Sequence, residues 1–165
     1  MEKVYTDGAC KGNPGTGGWA WVWYPDDSFG HIYNCGAEKS TTNNRMELKA
    51  VIEALSEILT SSELHLYTDS TYVLKGMVAS SGDVVNPKNY TGWLKGWISK
   101  DYYGVKNSDL WKSLHALLLK KTGYTLRIFY VRGHSGNVGN TLADNYASTA
   151  ALKLLGVKNI VSKQR

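Results

Sequence analysis

The tripeptide Tyr-Thr-Asp occurs twice, each time closing a short strand-like run: Tyr5-Thr6-Asp7 and Tyr67-Thr68-Asp69. A third carboxylate, Glu47, stands in Asn43-Asn44-Arg45-Met46-Glu47-Leu48 at the head of an amphipathic stretch. A fourth, Asp144, follows Gly133-His134-Ser135-Gly136. In open α/β sheets, sites gather beyond the carboxyl ends of parallel strands. Two adjacent, parallel Tyr-Thr-Asp strands would release their aspartates side by side, with Glu47 and Asp144 arriving from helices. Four carboxylates there repel one another unless cations neutralise them. An all-oxygen ligand set suits hard ions such as Mg2+ and Mn2+. The pattern points to metal-dependent phosphoryl transfer, with two ions about 3.5–4 Å apart clamping the attacking and leaving oxygens.

Each carboxylate also fits a local role. Asp7 before Gly8 is a common turn pair, and Asp69 can cap a following helix. Glu47 can pair with Arg45 or Lys49, and Asp144 suits the first turn of a helix. Their joint occurrence favours the metal site.

Strand and helix signals alternate along the chain. Residues 7–18 read as a glycine-rich loop, 19–24 as a strand, 25–28 as a turn and 31–38 as the next strand, an antiparallel opening. A polar connection, 39–42, leads to a helix capped by Thr42 or Asn43, with an apolar face of Leu48, Val51, Ile52, Leu55, Ile58 and Leu59. A strand at 64–69 and a short helix to about 76 follow. Residues 80–106 show weak periodicity. A helix over 109–121, a strand over 125–131 and a helix over 141–155 complete the chain, with a basic tail at 157–165 expected to be mobile. Three strands followed by alternating strands and helices predict a mixed sheet flanked by helices.

At 165 residues, one domain over 1–165 is expected. No apolar run reaches the roughly 20 residues that span a bilayer. The early first strand leaves no room for a signal peptide. Two cysteines, Cys10 and Cys35, suit a reducing compartment, so a cytoplasmic location is expected. Lysine and arginine number 19 against 14 acidic residues; with the four carboxylates set aside as metal-bound, 19 basic groups face 10 acids. Such an excess suits nucleic acid, and equally a merely basic soluble protein.

In order, Tyr-Thr-Asp-Gly with Gly-Asn-Pro-Gly, Thr-Asn-Asn-Arg-Met-Glu-Leu, Thr-Asp-Ser, Val-Lys-Asn-Ser-Asp-Leu-Trp, and Val-Arg-Gly-His-Ser-Gly with Ala-Asp ten residues past the histidine resemble the type 1 ribonucleases H. The likeness spans Val4 to about Leu155. It implies an α/β, ribonuclease H-like fold: a five-stranded mixed sheet, three antiparallel strands and then parallel ones. It implies an endoribonuclease that hydrolyses the RNA strand of RNA/DNA hybrids, leaving 5′-phosphate and 3′-hydroxyl ends. Asp7, Glu47, Asp69 and Asp144 would hold two Mg2+ ions, with Mn2+ a substitute. His134 would assist proton transfer or product release, since imidazole titrates near neutral pH. Asn140 would orient water or the scissile phosphate.

The same resemblance assigns Cys10, Asn13, Asn43 and Asn44 to the hybrid's minor groove, where ribose 2′-hydroxyls are read. Thr42 matches a contact to a DNA-strand phosphate; the arginine the family often places two residues earlier is Ser40 here. Residues 80–106 resemble a basic, aromatic protrusion of bacterial members, with Trp93, Lys95 and Trp97 as hybrid contacts, though the tryptophans also suit a small core. The implied partner is an RNA/DNA hybrid, bound by a monomer without a membrane. A related nuclease of the transposase or resolvase type, a non-catalytic hybrid binder and an excised reverse-transcriptase part are the competing readings.

Overall fold

The computed structural model describes residues 2–26, 30–60 and 62–156; the expected tail at 157–165 and part of the turn at 25–28 lie outside them. Five strands form one mixed sheet: β1 (Glu2–Lys11), β2 (Gly15–Tyr24), β3 (Ile32–Thr41), β4 (Glu63–Thr68) and β5 (Thr125–Tyr130). Their spatial order is β3-β2-β1-β4-β5. β1 pairs antiparallel with β2 and parallel with β4, β2 pairs antiparallel with β3, and β4 pairs parallel with β5. The expected five-stranded mixed sheet is therefore the observed one.

Two boundaries differ from the sequence reading. β1 does not end at Asp7 but runs to Lys11, pairing Ala9 with Gly18 and Cys10 with Gly17. The glycines predicted to form a loop are mostly strand residues. The reason is tertiary: a Cβ on Gly18 would collide with the backbone of Ala147 and Ala151, so its bareness lets a helix lie on β2. Likewise β3 continues to Thr41, through a register shift near Gly15 and Gly17, and absorbs most of the predicted polar connection.

Among the described residues five helices accompany the sheet: α1 (Asn43–Glu57), α2 (Thr71–Met77), α3 (Leu94–Ser99), α4 (Ser108–Lys120) and α5 (Val138–Leu154). Thr42 caps α1, accepting from the Arg45 N–H, and Asn137 starts α5 three residues earlier than predicted. α1 lies on β1 and β2 and packs against α4, whereas α5 lies across β1, β2 and β3. Alternate β1 residues feed two cores: Val4 joins Met46, Leu48, Val51 and Leu66, and Tyr5 joins Val22 and Ala143. Ile58 is buried as predicted, but Leu59 lies beyond the end of α1 and is 80% exposed.

Residues 80–106 fold back onto the body more than a free protrusion would. Tyr90 and Leu94 are buried in the main core, and the Trp93 N–H donates to the Lys75 carbonyl at 2.9 Å. Trp97 packs edge-on against the buried Trp111 at 5.2 Å, whereas Trp93 is 47% exposed.

Replacing Gly18 with alanine should cost about 1–3 kcal/mol in denaturant unfolding, because the added methyl overpacks the β2–α5 contact. Gly30→Ala, where a Cβ meets no atom within 4 Å, should stay within about 0.5 kcal/mol of the parent.

Candidate active site

The parallel pairing of β1 with β4 ends at Thr6 opposite Thr68, so Asp7 and Asp69 are the next residue on each strand. β4 stops there, while β1 continues against β2 alone. Gly8 lets α1 approach: a Cβ on it would collide with the backbone of Met46 and Glu47. Glu47 is thereby brought onto Asp7. One carboxylate oxygen from each of Asp7, Glu47 and Asp69 lies within 4.8 Å of the other two. Asp144 on α5 stands outside this tightest group but acts on Asp7 through its charge and a side-chain hydrogen bond.

The alternatives to a shared site fall away one by one. Arg45 forms a bidentate pair with Asp109 at 2.7 and 2.9 Å, and Lys49 pairs with Glu53 at 3.1 Å. Neither cation serves Glu47. Ser70, not Asp69, caps α2. Asp7 sits inside a strand, and Asp144 lies beyond the first turn of α5.

The electrostatics of the cluster are severe. Asp7 is 4% exposed, and its carboxyl is pushed up to about 9 by burial first, then by the charges of Asp69 and Asp144. Burial and the Asp7 charge hold Glu47 well above the usual carboxylate range. Asp69 is raised as well, chiefly by burial, with hydrogen bonds from Asp7 and Glu47 opposing the shift. The Oε1 atom of Glu47 is buried without a hydrogen-bond partner. A buried, unpaired carboxylate oxygen facing two more carboxylates is unfavourable unless a cation completes the set. The donors are all carboxylate oxygens, which fits a hard divalent ion.

The remaining predicted residues divide into groups. Gly133 places its loop against the cluster, since a Cβ there would stand 3.0 Å from Asp69 Oδ2. His134 beside it is exposed, with φ of 56°. Asn140 is buried, its N–H donates to Asn137 Oδ1 at 3.0 Å, and its own Oδ1 has no partner. Cys10, Asn13, Thr42, Asn43 and Asn44 come together where the β1–β2 turn meets the head of α1. Asn13 Oδ1 accepts from the Asn43 N–H at 3.1 Å, and Cys10 Sγ lies 3.5 Å from the Thr41 carbonyl. Asn13, Asn43 and Asn44 are exposed. Trp93 and Lys95 are exposed on the 80–106 segment, and Trp97 is half-buried.

The Arg45–Asp109 bridge escaped the sequence reading. Arg45 also donates to Asn107 Oδ1 at 3.4 Å, tying the head of α1 to the start of α4. Its partners lie 62 and 64 residues away, so no local pattern announces them.

This sheet order, with carboxylates at the β1/β4 edge and a divalent-ion donor set, defines a ribonuclease H-like fold built for phosphoryl transfer. The family model for RNase H matches residues 1–152. The ribonuclease H of Polaromonas naphthalenivorans is 42% identical over 158 residues, covering 93% of this chain and 88% of that one. That of Polynucleobacter asymbioticus is 44% identical over 159 residues, covering 92% and 90%. Among solved structures, LC9-RNase H1, a type 1 RNase H with the type 2 active-site motif, superposes with a TM-score of 0.69 at 28% identity, covering 91% of this chain and 71% of that one. LC11-RNase H1, solved in complex with an RNA/DNA hybrid, shares the fold at TM-score 0.65 and 20% identity, covering 94% and 99%. The chain belongs to the ribonuclease H family. Members of that family cleave the RNA strand of RNA/DNA hybrids.

A proton ledger follows from the raised carboxyls. Without metal, the folded cluster holds protons that the unfolded chain has released, so stability falls as pH climbs from about 4 through about 9. Asp7→Asn should therefore raise the metal-free melting temperature at pH 8, by about 2–4 °C for each kcal/mol of repulsion relieved. The gain should vanish near pH 4, and millimolar Mg2+ or Mn2+ should stabilise the parent but not the variant. Differential scanning fluorimetry across pH, with and without EDTA, checks both.

Proposed function

We propose that this chain is an endonuclease that hydrolyses the RNA strand of RNA/DNA hybrids with two divalent ions, Mg2+ in the cell, held by Asp7, Glu47, Asp69 and Asp144. The observation that carries the reading is the crowded carboxylate group with its unpartnered Glu47 oxygen. Bound ions supply charge stabilisation at the scissile phosphate and a more acidic attacking water. The products would carry 5′-phosphate and 3′-hydroxyl ends.

The protein's own share is positioning. β1 and β4 hold Asp7 and Asp69 in register, and the close α1–β1 contact holds Glu47 over them. The unpartnered Oδ1 of Asn140 is an acceptor for the attacking water or an orienting group for the phosphate. His134, on the exposed loop beside Asp69, would accept or pass a proton as the product leaves. The Cys10, Asn13, Asn43 and Asn44 surface presents small polar groups to the minor groove, where the 2′-hydroxyl identifies RNA. Thr42 would meet a DNA-strand phosphate there. Trp93 and Lys95, both exposed, would extend the contact along the backbone, with Trp97 supporting them from beneath. Residues 1–165 would act as one catalytic domain and as a monomer. The half-buried free thiols of Cys10 and Cys35 support a cytoplasmic setting. No described helix is long and apolar enough to cross a membrane.

The decisive test is cleavage of an end-labelled hybrid beside duplex RNA and duplex DNA, with and without EDTA. Metal-dependent cutting of RNA in the hybrid alone is expected; binding without cutting in Mg2+ or Mn2+ would defeat the proposal. Asp69→Asn should retain the fold by circular dichroism and lose activity by at least about a thousandfold, the loss of an interaction used in the transition state. His134→Ala should slow turnover far less, about 10–100-fold, since no ion depends on it.

The two tryptophans should separate in behaviour. Trp93→Ala should raise KM for the hybrid with little change in melting temperature. Trp97→Ala removes a ring packed on the core and should destabilise by about 3 kcal/mol or more.

A further inference from the structure

Asn107-Ser108-Asp109-Leu110-Trp111, at the head of α4, touches none of the four carboxylates by sequence, yet its side chains reach both helices that follow or carry them. Asn107 is the N-cap residue of α4, a position where asparagine usually turns its side chain back onto its own helix. Here no such bond forms, and the backbone is left-handed, with φ of 60°. The amide instead serves two other helices. Its Oδ1 accepts from Arg45 Nη1 on α1 at 3.4 Å, and its Nδ2 donates to Tyr72 Oη on α2 at 3.1 Å. A non-glycine residue in that conformation costs free energy that its surroundings must supply.

The residues that follow repeat the same two contacts. Asp109 takes the bidentate pair from Arg45, and the fully buried Trp111 donates from Nε1 to the same Tyr72 Oη at 2.9 Å. α2 lies directly on that indole, since a Cβ on Gly76 would collide with the Trp111 ring. α4 therefore grips α1 through Arg45 and α2 through Tyr72. Arg45 stands two residues before Glu47, and Tyr72 three residues after Asp69. Glu47 and Asp69 are the two carboxylates that share the cluster with Asp7, and like charge drives them apart.

We propose that the head of α4 is a clamp, in which Arg45, Tyr72, Asn107 and Asp109 are positioning residues that fix the spacing of Glu47 from Asp69 and so raise the site's affinity for divalent ions. This role presupposes the two-ion reading of the carboxylate cluster and adds to it residues that touch neither ion nor scissile phosphate. Apolar packing sets where α1 and α2 lie, but it is non-directional. Directional bonds near each helix head fix how far a carboxylate reaches and which way it turns. Such a constellation tolerates only about 0.5 Å of error. Losing a group that orients a metal ligand commonly weakens metal binding about 10–100-fold. The clamp acts through a turn of helix, and its ion pair is partly exposed, so an effect of about three- to tenfold is expected.

Asp109→Ala opens the arm to α1 and Tyr72→Phe the arm to α2, each leaving all four carboxylates in place. Leu118→Ala, near the other end of α4, removes buried packing and controls for lost stability. Mn2+ titration of each folded protein by isothermal calorimetry, without nucleic acid, gives the dissociation constant. Asp109→Ala and Tyr72→Phe should each bind Mn2+ about three- to tenfold more weakly than the parent. Leu118→Ala should bind it as tightly as the parent while melting below it. In hybrid cleavage both clamp variants should need more Mn2+ for half-maximal rate, and excess Mn2+ should restore the parent kcat. Parent-like Mn2+ affinity in either clamp variant would overturn the clamp and leave the proposed activity standing. Equal weakening in Leu118→Ala would overturn it in favour of general loosening. Parent-like Mn2+ binding by Asp7→Asn would defeat the two-ion reading itself, and the clamp with it.

Discussion

The parallel pairing of β1 with β4 is the constraint on which the rest depends. It ends at Thr6 and Thr68, and that common ending sets Asp7 beside Asp69. Nothing in either strand's composition favours a buried Asp7 beside a half-buried Asp69 at this point, and α1 adds Glu47 to the same crowd. The site is thus a concentration of like charge held together by backbone hydrogen bonds and apolar packing around it. Stability and function pull against each other at these residues, as is common where a fold carries chemistry.

Holding Glu47 in place requires more than α1's apolar face. That face fixes how the helix sits on β1 and β2, but the head of the helix overhangs the sheet edge. Three ties secure it: the missing side chain of Gly8, the Asn13–Asn43 hydrogen bond from the β1–β2 turn, and the Arg45–Asp109 bridge to α4. The same ties place Asn43 and Asn44 on the exposed surface. Carboxylate geometry and the surface that would meet nucleic acid are therefore set by one helix end.

Much of this was legible in the sequence because the informative residues are local. The repeated Tyr-Thr-Asp, the helical spacing behind Glu47 and the glycine-flanked His134 each carry their meaning within a few positions. Strand ends were less legible. Glycine ordinarily interrupts strands, and Gly17 and Gly18 read as a loop until α5 is seen lying on them. The 80–106 segment was obscured for the opposite reason: α3 spans only six residues, too few to show a helical period, and Tyr90, Leu94 and Trp97 spend their apolar surface on the main core and Trp111. Ion pairs such as Arg45–Asp109 join distant segments and leave no trace in either one.

Charge distribution links the site to its substrate. The chain is basic overall, 19 against 14, yet the buried Asp7 stands with Glu47 and Asp69 at one sheet edge, where the proposed activity would place a phosphate. Without ions, that cluster would repel a nucleic-acid backbone that the chain's net positive charge attracts. Divalent ions reverse the local sign, so metal and hybrid should each strengthen the other's binding, as reciprocal linkage requires. The metal-free cluster avoids its own repulsion by holding protons, which ties ion binding to proton release. One crowded edge of a sheet would therefore couple pH, metal and substrate through charge alone.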